Sequence, residues 1–200
     1  MSQPLISWER RYEDDGSEFD WYIPAADVVK MIEPLIPRSE DEILYVGCGT
    51  SSLGKELYDR GRRFVTNVDT SRLAVHAMAQ RYADLNDMQF VEMDATRLPK
   101  DLGGAFQLVV DKALLDYFLC EVKKDKANKF LKEMKRVLKI GGWFCCVSHG
   151  TPETRLPQLA SAFEVPSARI KVTTVPKPDV PGMEQGASPN YFVYMVRVEA

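Results

Sequence analysis

The chain has 200 residues, of which 45% are hydrophobic and 28% charged, and this composition is ordinary for one globular domain with its own core. Its net charge of −3 does not suit a surface that neutralises a phosphate backbone, so nucleic acid is not the expected substrate. The four cysteines have no metal-ligand spacing, and no window approaches eighteen consecutive apolar residues. We therefore expect a soluble, cytoplasmic monomer with buried free thiols, no metal site and no membrane span.

The N-terminal arm, residues 1–26, is rich in aromatic side chains but follows neither a helical nor a strand period. Its rings occur in two blocks, Trp8-Glu9-Arg10-Arg11-Tyr12 and Phe19-Asp20-Trp21-Tyr22. The residues alone leave two interpretations open, an arm that covers the hydrophobic surface of the domain or a lid over a binding site. After the arm, residues 27–35 have an apolar stripe at helical spacing, and prolines end that predicted helix.

A glycine-rich turn between a buried strand and a helix is the first feature that indicates a ligand. The apolar run of residues 43–46 predicts the strand, and residues 54–60 predict the helix. Gly47 and Gly49 have no Cβ, so the chain can turn sharply there and a ligand can approach the main chain. The turn Gly47-Cys48-Gly49 is therefore a predicted binding loop.

An acidic residue at the end of the next strand supports a nucleoside ligand. Asp69 ends the apolar run of residues 64–68 and lies 20 residues after Gly49. A carboxylate at this place accepts hydrogen bonds from ribose hydroxyls. The dinucleotide fingerprint G-x-G-x-x-G is broken, because Ser52 stands where its third glycine would be. The pattern therefore favours a nucleoside cofactor without a pyrophosphate over the nicotinamide cofactor of a dehydrogenase.

The rest of the chain continues the alternation of strands and helices. The further predicted elements are a helix to about residue 82, strands at 88–93 and 106–110, a helix at 126–138, a strand at 143–148, a helix at 156–163, β-like runs at 169–175 and 191–198, and a long loop at 176–189. Such an order predicts an α/β, Rossmann-like sheet of seven mainly parallel strands, with helices on both faces and a C-terminal antiparallel hairpin. We predict one domain over 1–200: the arm, a cofactor-binding core at 27–150, and a substrate-side helix and hairpin at 151–200.

Polar residues follow each of the first four predicted strands. Ligands in open α/β sheets bind beyond the carboxyl ends of the strands, so these residues are expected to share one site. Asp94-Ala95 suits an adenine, since the carboxylate can accept from the exocyclic amine while the Ala95 N–H donates to the ring. The alternative for Asp94 is an aspartate that caps a turn.

Several motifs together resemble a known family. They are Trp8-Glu9-Arg10-Arg11-Tyr12, Phe19-Asp20-Trp21-Tyr22, Val46-Gly47-Cys48-Gly49-Thr50-Ser51, Val65-Thr66-Asn67-Val68-Asp69 and Asp111-Lys112-Ala113-Leu114-Leu115-Asp116. In this order they resemble class I, seven-β-strand S-adenosylmethionine-dependent methyltransferases. Within that class they are similar to the methyltransferase-like family of elongation factor 1-alpha lysine methyltransferases, in the branch associated with endothelin-converting enzyme 2.

The resemblance implies a cofactor, a partner and a set of binding residues. It implies that S-adenosylmethionine is bound and that a protein, such as a translation elongation factor, is methylated on a lysine. The implied cofactor contacts are Trp8, Tyr12, Trp21, Gly47, Asp69, Thr70, Asp94, Ala95 and Lys112, to which the loop adds Cys48 and Gly49. It favours the lid interpretation of the arm. The chain departs from the family at Ala113, where the family has glycine, at Tyr45, where the superfamily often has an acid, and after His149.

Carboxylates near the transferred methyl group would position a lysine nucleophile and accept charge from its ammonium. Asp111 and Asp116 are the candidates for this catalytic role, although a surface or helix-capping role remains the alternative for Asp116. Lys112 could instead form a salt bridge with Asp111 or Asp94. A dedicated general base cannot be read from the sequence, and His149 is expected on a loop surface. Methylation of a small molecule or another protein atom, and a non-catalytic cofactor-binding scaffold, remain alternative functions.

Overall fold

The computed structural model describes residues 8–120, 124–178 and 188–199. The strands are β1 (Ile43–Val46), β2 (Val65–Asp69), β3 (Met88–Glu92), β4 (Phe106–Lys112), β5 (Leu138–Ser148), β6 (Lys171–Pro176) and β7 (Asn190–Arg197). The helices are α1 (Trp8–Asp14), α2 (Ala25–Ile32), α3 (Leu53–Asp59), α4 (Arg72–Arg81), α5 (Leu114–Cys120), α6 (Lys124–Val137) and α7 (Pro152–Phe163). Short 3-10 helices cover Glu33–Leu35, Lys100–Leu102 and Ser167–Arg169.

All seven strands form one sheet in the order β3-β2-β1-β4-β5-β7-β6. The strands from β3 to β5 are parallel, whereas β7 runs antiparallel to both of its neighbours. The predicted fold class, including the terminal hairpin, is therefore confirmed. Residues 179–187 of the predicted long loop lie outside the described part of the chain.

The sheet is covered on both faces by apolar clusters. One cluster contains the aromatic side chains of Phe130 in α6, Phe144 in β5 and Phe163 in α7. The other contains Val28 and Ile32 of α2 together with residues of α3. Because both faces are covered, the central strands read in the sequence as continuous apolar runs rather than as alternating ones. Within the described ranges, no helix has the length and apolarity needed to cross a membrane.

Gly54 lets α3 pack closely against β2. A Cβ atom at this position would lie 2.4 Å from the Oδ1 atom of Asn67, which is buried in β2. The Asn67 amide is itself held in place, since its Nδ2 donates to the Gln89 carbonyl at 3.0 Å. Gly54 thus permits the close helix–sheet contact that the third glycine of a dinucleotide fingerprint provides, at a different spacing.

Several predicted elements differ from the structure, and the arm and the fifth strand differ most. The arm was predicted to have no regular period, but Trp8–Asp14 forms a helix, and its Trp8 ring contacts Trp21 of the arm and Tyr117 of α5. The fifth strand was predicted to begin at Trp143, after a glycine turn, but it begins at Leu138. Gly141 and Gly142 stay in the strand because each forms a backbone hydrogen bond with Val198, and Gly141 accommodates the irregularity with φ +82°.

Candidate functional site

The carboxyl edge of the parallel strands borders a cavity of about 350 Å³, a size typical of small-molecule sites. All of the residues predicted to bind the cofactor line it. They are Trp8, Tyr12, Trp21, Gly47, Cys48, Gly49, Asp69, Thr70, Asp94, Ala95 and Lys112. Of the two predicted catalytic carboxylates, Asp116 lines the cavity, whereas Asp111 is not among its lining residues. The four strand ends and the arm therefore share one hollow.

The glycine loop requires backbone conformations that other residues adopt only under strain. Gly47 and Gly49 have φ values of +60° and +49°. A Cβ atom at Gly49 would lie 2.5 Å from the hydroxyl oxygen of Tyr12, and one at Gly47 would lie 3.0 Å from the Leu114 Cβ. The absence of side chains thus allows the sharp turn and also the close approach of α1 and α5.

Asp69 ties the glycine loop to the end of β2. Its Oδ2 accepts the Gly49 N–H and its Oδ1 accepts the Ser71 N–H, both at 2.8 Å. Burial raises the pKa of Asp69, while these backbone donors oppose that effect. Each carboxylate oxygen has a second lone pair, so Asp69 can also accept a ribose hydroxyl.

Asp94 caps a turn and also lines the cavity. Its Oδ1 accepts the backbone N–H of Thr96 at 2.9 Å and the Thr96 hydroxyl at 2.8 Å. The two interpretations offered by the sequence are therefore compatible, because one oxygen can hold the turn while the other faces a ligand. Ala95, which follows, is buried against the same cavity.

The aromatic arm packs across the cavity. The Trp8 ring contacts Trp21 edge-on with ring centres 6.1 Å apart, and it contacts Tyr117 of α5 at 5.7 Å. The Arg11 guanidinium lies over the Phe19 and Trp21 rings, 4.9 and 5.7 Å from their centres. The arm thus covers the domain and forms a wall of the cavity, so its two interpretations are also compatible.

A buried ion pair fixes the arm to the sheet. The Lys112 ammonium, at the end of β4, pairs with Asp20 of the arm. Asp20 also accepts the Ser51 hydroxyl at 2.5 Å and the Ala25 N–H at 3.1 Å. Burial would raise the pKa of Asp20, but Lys112 and the other donors outweigh it and lower that pKa. Lys112 does form a salt bridge, as the alternative prediction proposed, but the predicted partners, Asp111 and Asp94, were wrong, because the partner is Asp20.

Asp116 is buried in a polar network, with 2% of its surface exposed, so the surface and helix-capping interpretations are wrong. Its Oδ1 accepts the Ser148 hydroxyl at 2.6 Å and the Arg155 Nη2 at 2.5 Å. Its Oδ2 accepts the His149 backbone N–H at 2.9 Å. Asp116 therefore lines the cavity, and the Arg155 guanidinium already balances its negative charge.

Asp111 has a different place from the one predicted. Its Oδ1 accepts the N–H groups of Leu114 and Leu115 at 2.9 and 3.2 Å, so it caps α5. Its Oδ2 accepts from the Cys146 thiol at 3.1 Å. Burial raises the pKa of Asp111 to about 7. Since it is fully buried and does not line the cavity, Asp111 positions the helix that carries Asp116 instead of contacting a ligand.

Tyr22 and Arg155 are among the residues in and around the cavity that sequence reasoning did not identify as site residues. Tyr22 lines the cavity and has a φ of +65°, and the sequence indicated it only as part of an aromatic block of the arm. Arg155 lies in α7 and is almost fully buried against Asp116. A single arginine on a helix beyond the fifth strand belongs to no recognisable pattern, so sequence alone could not identify it.

Ala113 carries a backbone strain that glycine would remove. It lies between Lys112 and Leu114 with φ +78°, at the place where the resembled family has glycine. In the left-handed region, an L residue with a Cβ costs about 1 kcal/mol relative to glycine. We therefore expect Ala113→Gly to raise the free energy of unfolding by about 1 kcal/mol in urea denaturation. The matched change Ala127→Gly, at a buried position in the first turn of α6, should instead lower it.

The family model and the two relatives described below are all methyltransferases. Residues 43–142 match the family model described as a methyltransferase domain. The chain is 36% identical over 143 residues to the eEF1A lysine and N-terminal methyltransferase of Danio rerio, covering 70% of this chain and 20% of that protein. It is 33% identical over 167 residues to the EEF1A lysine methyltransferase 4 of Mus musculus, covering 78% of this chain and 64% of that protein. The chain thus spans about a fifth of the first relative and less than two thirds of the second.

A solved structure has the same fold at low sequence identity. The N-methyltransferase NodS of Bradyrhizobium japonicum, solved in complex with S-adenosylhomocysteine, aligns with a TM-score of 0.65 at 14% identity. The alignment covers 98% of this chain and 100% of that one. At this identity the likeness establishes the architecture, and the function has to be argued from the cavity.

Proposed function

This chain belongs to the methyltransferase domain family, and we propose that it transfers a methyl group from S-adenosylmethionine to a lysine side chain of a protein. The observation that carries the proposal is the convergence of the glycine loop, the strand-end acids and the aromatic arm on one cavity. The residues fit the cofactor chemically, because the cavity combines a carboxylate for sugar hydroxyls, bare backbone, and aromatic walls.

Each group in the cavity has a part in holding the cofactor. Asp69 accepts the ribose hydroxyls, while Asp94 and the Ala95 N–H bind the adenine edge. The glycine loop presents backbone groups to the amino-acid end, and the rings of Trp8 and Trp21 cover the ligand. Lys112 acts through Asp20, since their ion pair holds the arm in its covering position.

When bound, S-adenosylmethionine would supply an electrophilic methyl group on a sulfonium, so that the C–N bond to the amine would form as the C–S bond breaks and a neutral thioether leaves. The protein mainly has to align the amine and exclude water, because alignment alone lowers the barrier to such a displacement considerably. The aromatic arm and Tyr117 exclude water from the reacting end. Asp116 holds its neighbours in place, and the lysine ammonium releases its proton to water before the neutral amine attacks.

The choice of a protein lysine as acceptor rests on relatives. Two of them are named as methyltransferases of elongation factor lysines, so a translation elongation factor is the first candidate substrate. A cytoplasmic, monomeric enzyme that does not bind nucleic acid is part of the same proposal. The remaining candidates are a small molecule or another protein atom as acceptor, and a scaffold that binds the cofactor without catalysis.

The proposal is tested by incubating the purified chain with methyl-labelled S-adenosylmethionine and either elongation factor 1-alpha or a cell lysate. We expect label in one discrete protein band and a methylated lysine in its tryptic peptides by mass spectrometry. The Asp69→Ala variant, which loses the ribose acceptor, should give a much weaker band at the same concentration of labelled cofactor. Label confined to the low-molecular-weight fraction would favour a small-molecule acceptor. Cofactor binding without any labelling would favour the scaffold.

A further inference from the structure

Tyr22 is a conformationally strained residue of the cavity wall. Its φ of +65° and the hydrogen bond from the Ile23 N–H to the Trp21 carbonyl, at 2.8 Å, describe a tight three-residue turn centred on a bulky side chain. Such a turn is rare and strained for a non-glycine residue, and strain of this kind is concentrated at functional sites. The turn therefore points to a role for the tyrosine side chain.

The Tyr22 ring is held on several sides. It stacks on Tyr191 of β7 with ring centres 4.8 Å apart. It meets the edges of Trp21 and His149 at 6.1 and 5.9 Å. Tyr22 and Asp116 line the same cavity, and the phenol lies close enough to the carboxylate to interact with it.

Asp116 is already engaged by several groups of the protein. A carboxylate offers about four lone-pair sites. The Ser148 hydroxyl, Arg155 and the His149 N–H occupy three of them, and Tyr22 lies beside the same carboxylate. The guanidinium also balances the carboxylate charge. Asp116 is therefore a positioning residue, and a substrate ammonium has to find its polar contact elsewhere.

The hydroxyl of Tyr22 supplies that contact. An ionised carboxylate can only accept, so a phenol beside it donates its hydrogen to it and keeps its oxygen lone pairs available as acceptors. Burial, followed by the Asp116 charge, raises the pKa of Tyr22, so the phenol stays neutral. An oxygen of this kind binds a group that carries hydrogen, such as an amine N–H, and rejects a carboxylate. Burying two acceptors against each other costs more than leaving both in water.

We propose that the Tyr22 hydroxyl oxygen binds the nitrogen that accepts the methyl group, so that the site selects amines over oxygen acids. This inference deepens the proposed function and rests on it. It also reassigns the acceptor contact from the two carboxylates predicted from the sequence to a tyrosine of the arm.

Sinefungin provides a probe that needs no knowledge of the substrate. It has an amine-bearing carbon where S-adenosylmethionine has its methylated sulfur, so it places an N–H group at the reacting end, whereas S-adenosylhomocysteine places nothing there. We expect Tyr22→Phe to weaken sinefungin binding about tenfold relative to S-adenosylhomocysteine binding, measured by calorimetry for both ligands. The affinity for S-adenosylhomocysteine itself should change less than about twofold.

Tyr191→Phe is the matched control, because it removes a hydroxyl from the ring that stacks on Tyr22 without touching the Asp116 network. The ratio of the two affinities should stay at the wild-type value in this variant. An unchanged ratio in Tyr22→Phe, or an equal fall in both variants, would overturn the assignment. If the wild-type chain binds neither ligand, the cofactor itself is wrong and the proposed function fails with the inference. If the wild-type chain binds both ligands and Tyr22→Phe leaves the ratio of their affinities unchanged, only the assignment of Tyr22 is wrong and the proposed function stands.

Discussion

Replacement of Asp69 with alanine is expected to weaken S-adenosylhomocysteine binding by about 10- to 100-fold. The carboxylate accepts the ribose hydroxyls in the proposed complex, and a hydrogen bond to a charged group is worth about 1.5–3 kcal/mol. Asp69 also holds the Gly49 and Ser71 N–H groups, so its loss releases the loop as well as the sugar. Titration calorimetry of the purified variant measures the effect directly.

Two further variants make the Asp69 result specific. Asp69→Asn keeps one acceptor oxygen, so its affinity should fall between those of the wild type and the alanine variant. Asp84→Ala removes an exposed carboxylate that lies outside the cavity and should leave the affinity unchanged. An Asp69→Ala variant that is folded, by its circular dichroism spectrum, and binds with wild-type affinity would show that the sugar lies elsewhere.

The cofactor side of the cavity could be predicted because its signals are local. A buried parallel strand reads as an apolar run, and the first polar residue after it marks the carboxyl end, as at Asp69 and Asp94. The sheet topology then brings these ends to one edge whatever the details of the helices. For this reason every predicted cofactor residue lines the cavity, including those of the arm that only the family resemblance indicated.

The acceptor side could not be predicted, because its contacts join distant parts of the chain. Arg155 and Asp116 are 39 residues apart, and Lys112 and Asp20 are 92 apart. Neither pair has a spacing that a helix or strand period would reveal. For Asp111 the local pattern predicted a role that its contacts do not support. An acid at a strand end is typical of a catalytic group, but Asp111 caps the next helix. Local pattern identifies where polar residues lie, and tertiary pairing decides what they do.

Tertiary pairing also explains how the arm is attached to the site. Residues of α1 and its connection carry most of the aromatic wall, but their buried polar link to the sheet is the Asp20–Lys112 pair. Asp20 also contacts Ser51 in the glycine loop, so one carboxylate connects the arm, the loop and β4. Cofactor affinity and arm stability should therefore change together when this pair is broken.

Asp20→Ala is expected to lower the free energy of unfolding by about 3 kcal/mol and to weaken S-adenosylhomocysteine binding by at least about tenfold. The Lys112 side chain is 1% exposed, so the variant leaves a buried ammonium without its counter-charge, which is among the costliest single changes. Since the pKa of Asp20 lies below its ordinary 3.8, the Asp20 charge stabilises the wild type at neutral pH, and this contribution is lost as the pH falls from about 4 through that lowered pKa. Burial lowers the pKa of Lys112 and so opposes part of this stabilisation. Urea denaturation at pH 7 and pH 3 measures the change in the free energy of unfolding and its pH dependence. Titration calorimetry at pH 7 measures the change in affinity.

The partner variants separate the ion pair from a general loss of packing. Lys112→Met should cost less than Asp20→Ala, because the Asp20 side chain is 24% exposed and keeps the Ser51 hydroxyl and the Ala25 N–H as donors. The double variant Asp20→Ala/Lys112→Met should be more stable than Asp20→Ala alone, since it removes the uncompensated charge, and a double-mutant cycle gives the coupling. If the two single changes simply add, the arm is held by its aromatic contacts, and the ion pair does not control the site.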